Sequence, residues 1–374
     1  MKLMSKAVLF VLSVFTAAVC GGCGAAQSEQ PQQTELVQEA QQEKPVFTDS
    51  MQEDLSDQIK VNAQFVYPQS CKNGEGVQAA LGENLFWDRQ DEISGILLQD
   101  RQITNEFAND YGTQKRKVYE TADRTILSIY DNNYLNYATD QSTYINNVLH
   151  FDSRFDDYNG DKYLNKTDLD FMPQDEAWAK VKAVLDKLGV EISDSITCYV
   201  MEHSVMEEEE GAAIARAEAE DTKIPKKKEQ WTDMDDCYYF KTRTSWEEYP
   251  VLPVIMGEGF DEDNVSVIYD RNGIQLLQIN GYYPLEKENE ITIQSPEAAV
   301  WKLKEYLENV ISSDLYEIQK ITLCQKIMQM DAENHTAEIR PVWECSVLVK
   351  SGEPSDDGYI HKIYFDAETL KVAI

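Results

Sequence analysis

The sequence of 374 residues is poor in histidine and lacks the common catalytic motifs. Four histidines occur, and H-E-x-x-H, G-x-S-x-G and the phosphate-binding loop G-x-x-x-x-G-K-[ST] are absent. His203 and His335 lie among acidic and polar residues, which favours surface positions, whereas His150 and His361 lie in strand-like runs, which favours structural roles. We therefore expect a protein that is not an enzyme, with no catalytic residue and no cofactor.

Basic residues are also scarce. Lys and Arg number 34 against 67 Asp and Glu, which gives a net charge of -33. A surface of this sign repels phosphate backbones, so no nucleic-acid partner is expected, whereas cations or basic partners suit it. Hydrophobic residues still make up 42% of the chain, so it is not wholly disordered.

No apolar run reaches the ~20 residues of a membrane helix. The first 22 residues read instead as a secretory signal, because Lys2 and Lys6 precede an apolar run, Ala7–Val19, that is too short to span a bilayer.

The end of this segment resembles a bacterial lipoprotein signal. The small residue Gly22 precedes Cys23, and the resemblance implies that Cys23 is lipid-modified and becomes the new N-terminus. Cys20 stands where such signals usually carry Leu or another aliphatic residue. Its own neighbour Val19 is bulky, which makes Cys20 a poorer acceptor. The alternative is an ordinary secretory signal that is cleaved nearby.

Residues 23–47 are predicted to form a lipid-anchored disordered tether. They are rich in Gln and Glu, contain Pro31 and Pro45, and have almost no large apolar side chains. About 24 flexible residues reach roughly 25–30 Å, so the folded part can stand off the outer face of the cell membrane.

The segment 48–165 is predicted to be β-rich. Apolar residues alternate from Ile59 to Tyr67, as a half-buried strand requires, and Asp131-Asn132-Asn133 separates two strand-like runs as a hairpin turn would.

The remainder contains a duplication. One helix is predicted from Pro173 to Leu188, where Gly189 ends it, and a second begins at Ser295-Pro296. The apolar face of the first helix is Trp178, Val181, Leu185 and Leu188, and that of the second is Val300, Leu303, Leu307 and Val310. Each residue of the second set lies 122 positions after its counterpart in the first. Strand-like runs follow each helix, and each copy ends in a hairpin around an aspartate. We predict an α+β fold of two tandem units, 166–290 and 291–374, each a helix on an antiparallel sheet.

The last hairpin is similar to the end of PepSY-type domains. Asp366-Ala367-Glu368-Thr369-Leu370 follows their Asp-Ala-x-Thr-Gly pattern, with Leu370 in place of the glycine, and Pro341-Val342-Trp343 also resembles this group and the YycH/YycI-like extracytoplasmic regulators. Tethered chains of this kind resemble uncharacterised clostridial lipoproteins. The resemblance implies a PepSY/cystatin-like fold that binds or restrains an envelope protein, such as a sensor kinase or a peptidase.

The first unit carries an inserted acidic helix, residues 206–222, which opens with four glutamates from Glu207 and is followed by Pro225 and three lysines. Its acids suit a helix N-terminus, and its face has few apolar residues. A solvated, mobile helix and a partner-docking arm are both consistent with this pattern.

One motif resembles a dockerin calcium loop. Asp157, Asn159, Asp161 and Asp168 occupy positions 1, 3, 5 and 12, where calcium takes oxygen ligands, but Lys162 replaces the glycine of position 6. The loop is a weak calcium candidate, and the alternative is an acidic, turn-rich connection.

Five cysteines follow residue 23, and none of them has C-x-x-C spacing, so neither a zinc nor a redox motif is predicted. Disulfides can form outside the cell, but an odd number and the good packing of free cysteine favour buried thiols.

Together these observations predict a membrane-anchored extracytoplasmic lipoprotein that binds or regulates another envelope protein. A ligand- or calcium-binding surface lipoprotein is the alternative, and a cell-wall-active hydrolase is the second alternative.

Overall fold

Strands dominate the structure, a computed structural model with 44% strand and 25% helix. It describes residues 46–83, 86–112, 114–150, 157–164, 168–252, 263–310, 312–331, 336–352 and 358–373. The predicted signal, Cys23 and nearly all of the tether lie outside these residues.

The secondary structure of the described residues comprises sixteen strands and five α-helices. The strands are β1 (Ser50–Asp54), β2 (Ile59–Val66), β3 (Glu75–Leu81), β4 (Ile103–Asp110), β5 (Lys115–Thr121), β6 (Ile126–Tyr130), β7 (Leu135–Ala138), β8 (Ile192–Met201), β9 (Cys237–Trp246), β10 (Tyr249–Leu252), β11 (Val265–Asp270), β12 (Gly273–Ile279), β13 (Leu285–Thr292), β14 (Leu315–Asp331), β15 (Thr336–Lys350) and β16 (Tyr359–Asp366). The helices are α1 (Gln90–Leu98), α2 (Asp140–Asn146), α3 (Gln174–Leu188), α4 (His203–Ala219) and α5 (Pro296–Glu308).

Fourteen strands belong to one mixed sheet, in the order β1-β2-β14-β10-β9-β11-β12-β7-β6-β5-β4. Two branches leave this path, because β14 also pairs with β15, which pairs with β16, and β9 also pairs with β8. The pairs β2–β14 and β10–β14 are parallel, and the other pairs of this sheet are antiparallel. Strands β3 and β13 form a separate antiparallel ribbon.

The predicted fold of two tandem helix-on-sheet PepSY units is therefore wrong. Strand β10 pairs with β9 of the first predicted unit and with β14 of the second, so the strands of both belong to one sheet. Strands β2 and β7 come from the predicted N-terminal region and pair with β14 and β12. Hydrophobic periodicity tells which face of a strand is buried, but not which strand it pairs with, and this is why the two units looked separate.

The ends of the two predicted units also differ. The first closes on the hairpin β11–β12, in which Gly273 has φ +106°. In the second, β16 is followed by a turn and a single bridge between Phe365 and Val372 rather than by a strand. The two segments therefore do not share one topology.

The three largest apolar clusters among the described residues hold the sheet and its helices together. Helix α5 packs on β2, β14, β15 and β16, with Trp343 fully buried at the centre. Helices α1 and α3 pack on one face of the sheet around β9, β11 and β12. The opposite face of that region is covered by α2, α4 and Trp231.

Local helix signals are confirmed. Helix α3 ends at Gly189, which has φ +71°, and α5 begins after Ser295, whose side chain accepts a hydrogen bond from the Ala298 amide at 3.2 Å. The predicted apolar faces are buried except at two ends: Trp178 is only partly buried, and Val310 is 44% exposed.

The turn after β16 forms although Leu370 replaces the glycine of the PepSY pattern. Leu370 has φ +54°, a left-handed conformation that is unfavourable for a branched side chain. The Asp366 carboxylate holds the turn, because it accepts hydrogen bonds from the amide and hydroxyl of Thr369 at 2.8 and 2.7 Å. Burial opposes ionisation of Asp366, but Thr369 and the Arg340 guanidinium outweigh it and lower its pKa.

The five described cysteines are free thiols. Cys198 is half-buried, and burial raises its pKa to about 12. The others are almost fully buried; they are Cys71, Cys237, Cys324 and Cys345.

We expect alkylation to report this arrangement. A variant with Cys23→Ser and without the signal should react slowly when native, because a buried thiol with a raised pKa supplies little thiolate. Denatured without reductant, it should gain five alkyl groups by mass spectrometry. A gain of three or one would show disulfides and contradict the free thiols.

Candidate functional site

The structure gives the four calcium-candidate residues separate partners. The Asp157 carboxylate lies 3.2 Å from both the His150 imidazole and the Arg216 guanidinium. Asp161 accepts a hydrogen bond from the Tyr158 hydroxyl at 2.7 Å, and Asp168 accepts one from the Gln174 amide at 2.9 Å, just before α3. Among the described residues, no group of three or more acidic, histidine or cysteine side chains is placed to bind a metal.

Asn159, the remaining member, is part of a buried polar cluster. Its side chain accepts a hydrogen bond from the His150 amide at 2.7 Å and donates to the Glu209 carboxylate at 2.6 Å. Lys162, which replaces the glycine at position 6 of a dockerin calcium loop, pairs with the Glu209 carboxylate. Burial opposes ionisation of Glu209, but Lys162 and Asn159 outweigh it and lower its pKa. Asn159 and Lys162 thus fasten α4 to this loop.

Helix α4 is therefore packed against the rest of the fold, and it spans His203–Ala219 rather than the predicted 206–222. Glu209 and Glu210 are 5% and 4% exposed. Glu210 accepts hydrogen bonds from the Trp231 indole at 3.1 Å and from the Lys228 amide at 2.8 Å. Of the four consecutive glutamates, Glu209 and Glu210 therefore anchor the helix, whereas Glu207 and Glu208 are exposed to solvent.

Lys228, one of the three lysines after α4, also has a structural role. The Lys228 ammonium lies 2.9 Å from the Asp235 carboxylate and 5.1 Å from the centre of the Tyr144 ring. At the start of α4, the His203 ring lies 2.8 Å from the Asp236 carboxylate. His361 lies on β16, and His335 is outside the described residues.

A charged cluster around a buried carboxylate joins β9, β15 and β16. Glu344 is 4% exposed, and its carboxylate lies 2.6 Å from the Arg243 guanidinium and 3.2 Å from the Lys362 ammonium. Burial opposes ionisation of Glu344, but the two cations outweigh it and lower its pKa. The cluster links β9 to two strands that it does not pair with.

A surface cleft of about 430 Å³ lies between the β3–β13 ribbon and the large sheet. Its lining includes Ser70, Glu75, Lys287 and Tyr249, and the Tyr249 hydroxyl lies 2.9 Å from the Cys71 sulfur. Burial raises the pKa of Cys71, so this thiol is a poor nucleophile at neutral pH.

A second cleft, also about 430 Å³, lies on the exposed face of β1, β2 and β14. Amide side chains dominate it; they are Gln52, Asn62, Gln64 and Gln319. Sequence reasoning missed these residues. The alternation in β2 could have indicated Asn62 and Gln64, because the exposed positions between its buried residues are Lys60, Asn62 and Gln64. Only the buried positions of this alternation were interpreted.

Comparisons with known proteins inform the fold alone. No family model matches the chain, and no curated protein matches it. A crystal structure of an uncharacterized protein from Eubacterium rectale ATCC 33656 is similar, with a TM-score of 0.63 and 14% sequence identity, over 87% of this chain and 93% of that chain. Among the described residues, none of the helices is long and apolar enough to span a membrane.

We expect Glu344→Gln to destabilise the protein by about 3 kcal/mol at pH 7, because it removes the buried carboxylate that pairs with Arg243 and Lys362, although Arg243 keeps the Asp263 carboxylate at 3.5 Å. Urea denaturation would measure the change, with Glu338→Gln as the control, since its pair with Arg340 is half-exposed and contributes at most about 1 kcal/mol.

The direction of the Glu344 pKa shift predicts how the effect of Glu344→Gln changes with pH. A lowered carboxyl pKa contributes stability above the ordinary Glu pKa of about 4.3, and the contribution is lost as the pH falls through the lower folded value. The difference between wild type and Glu344→Gln should therefore shrink below about pH 4. An unchanged difference, or equal effects of both variants at pH 7, would contradict the assignment.

Proposed function

We propose that the protein is a lipid-anchored extracytoplasmic protein that binds and regulates another envelope protein. The N-terminal pattern ending in Gly22-Cys23 supports the location, and the tether supports a folded part that stands off the membrane. The role as a binding protein is supported by an exposed apolar sheet edge on the folded part.

This edge is strand β16, which pairs with β15 on one side. On the other side, the chain from 371 to 373 covers only its end, through the bridge between Phe365 and Val372. Among the described residues, β15 is the strand that pairs with residues 359–363, which places β16 at the end of a branch of the sheet. The outer edge of a strand at the end of a sheet can accept an added strand.

The side chains around the edge are unusual for so acidic a protein. Tyr359 and Ile360 are each 45% exposed, and Tyr306 of α5, which contacts the Phe365 ring, is 38% exposed. The segment 359–363 contains no acidic residue, although the chain has 67. We name Tyr306, Tyr359 and Ile360, with the outer edge of β16, the β16 patch. An extended segment of a partner protein fits it best, because backbone hydrogen bonds and apolar contacts are both offered there.

The anchor can be tested with matched cysteine variants. Cys23→Ala should abolish incorporation of a fatty-acid label and release the protein from the membrane fraction, because the acyl acceptor is lost. Cys20→Ala should leave both unchanged. Labelling that persists in Cys23→Ala, or is lost in Cys20→Ala, would contradict lipidation at Cys23.

Photo-cross-linking in cells would test the partner. A photoreactive phenylalanine analogue at position 359 should give a discrete adduct with one other envelope protein. The same analogue at Tyr111, which is 62% exposed, should give none.

A charge at the edge should weaken the adduct. Ile360→Lys should reduce it strongly, because a lysine on an edge strand opposes strand addition. Ile103→Lys, at a 44% exposed position on the edge strand β4, is the matched control and should not reduce it. An adduct of twice the chain mass would indicate self-association and, like an adduct unaffected by Ile360→Lys, would contradict the proposal.

A further inference from the structure

The amide-lined cleft on β1, β2 and β14 offers polar groups that the fold does not use. We name this cleft of about 430 Å³ the amide groove; the side chains that carry the argument are Ser50, Gln52, Asn62, Gln64, Glu317 and Gln319. None of the four amide side chains hydrogen-bonds to another described residue, although each can donate and accept. Its volume is within the range of ligand sites, about 300–1,000 Å³.

Strand register brings these side chains together. In the antiparallel pair β1–β2, Gln52 lies opposite Asn62 and Ser50 lies opposite Gln64, so all four share a face. Strand β14 adds Gln319, which the β14–β15 register skips between Ile318 and Lys320. A bulge of this kind redirects a side chain, and bulges are frequent beside binding sites.

The groove has a rigid floor. The alternate residues of the same strands, Val61, Ala63 and Ile318, are at most 2% exposed and pack in the core under α5. Because those positions are fixed by packing, the backbone that carries the amides does not need to be ordered on binding, which leaves only the side-chain rotamers to be fixed.

The chemistry of the lining selects the ligand. Neutral amides pair with hydroxyl and acetamido groups, each of which also donates and accepts. Glu317 is the single charged side chain of the lining, which disfavours anionic polymers. A peptide is less well matched, because its backbone is usually read by a free strand edge and by apolar pockets, whereas these amides project from a sheet face.

We propose that the amide groove binds neutral glycans rich in hydroxyl and N-acetyl groups. This proposal goes beyond partner binding at the β16 patch and shares with it only the extracytoplasmic location. The groove is open and its lining has no aromatic ring, so a few exposed hydrogen bonds should give a millimolar dissociation constant.

Saturation-transfer NMR would test the proposal, because it detects binding of this strength. The probe is the tetramer of N-acetylglucosamine, and the protein is the mature chain from residue 23 without its lipid. We expect transfer to the N-acetyl methyl groups. The double variant Asn62→Ala, Gln319→Ala should weaken binding about tenfold, as the loss of two hydrogen bonds predicts.

The control is Asn105→Ala, Asn109→Ala, which removes two exposed amides from strand β4 and should leave the signal unchanged. If the groove variant does not melt like wild type, the single variant Gln52→Ala replaces it. No transfer to the tetramer at millimolar concentration, or transfer that the groove variants do not reduce, would overturn the proposal. Groove-dependent transfer to tetra-alanine instead of the tetramer would assign a peptide groove and also overturn it. None of these outcomes bears on cross-linking at Tyr359, so failure of the two proposals can be told apart.

Discussion

The hydrogen-bond ladders of β14 are the constraint on which the rest of the structure depends. This strand of 17 residues pairs with β15 along one side, and with β2 and then β10 along the other. Backbone donors and acceptors inside a protein must be paired, so a strand bonded on both sides fixes the register of its neighbours. Helices α3 and α5 consequently cover different stretches of one sheet, where a duplication of separate units would have placed them on two.

Ion pairs of buried acidic residues connect parts of the chain that strand pairing does not connect. Lys162 pairs with Glu209, 47 residues away, and Arg243 pairs with Glu344, 101 residues away. In a chain with about twice as many acids as bases, some of the few cations pair with buried acids, where breaking a pair costs more than at the surface. The excess of acidic residues remains outside, and the β16 patch and the amide groove stand out against it as an apolar edge and a neutral polar surface.

The Eubacterium rectale structure is similar in fold at only 14% sequence identity. This agrees with a difference between the buried residues, which determine the fold, and the surface residues, which form the β16 patch and the amide groove. A sheet of given topology needs buried apolar residues at alternate positions, and many sequences supply them. The residues between them are not constrained by packing, so a shared fold does not carry over the chemistry of β16 or of the amide groove. Function must be argued from those surfaces themselves.

The sequence by itself determined local structure: the cap at Ser295, the helix end at Gly189, the alternation from Ile59 to Tyr67 and the hairpin at 131–133, because each depends on neighbours along the chain. Only the tertiary structure decided which strands pair, that Asn159 and Lys162 hold Glu209, and that Gln319 joins the amides of β1 and β2. These contacts join residues tens to hundreds of positions apart, and periodicity carries no information about partners at that distance. Burial of the apolar strand and helix faces was therefore predictable from the sequence. The burial of Glu209 and Glu210, and which side chains meet at the candidate sites, depend on long-range pairing and were not predictable.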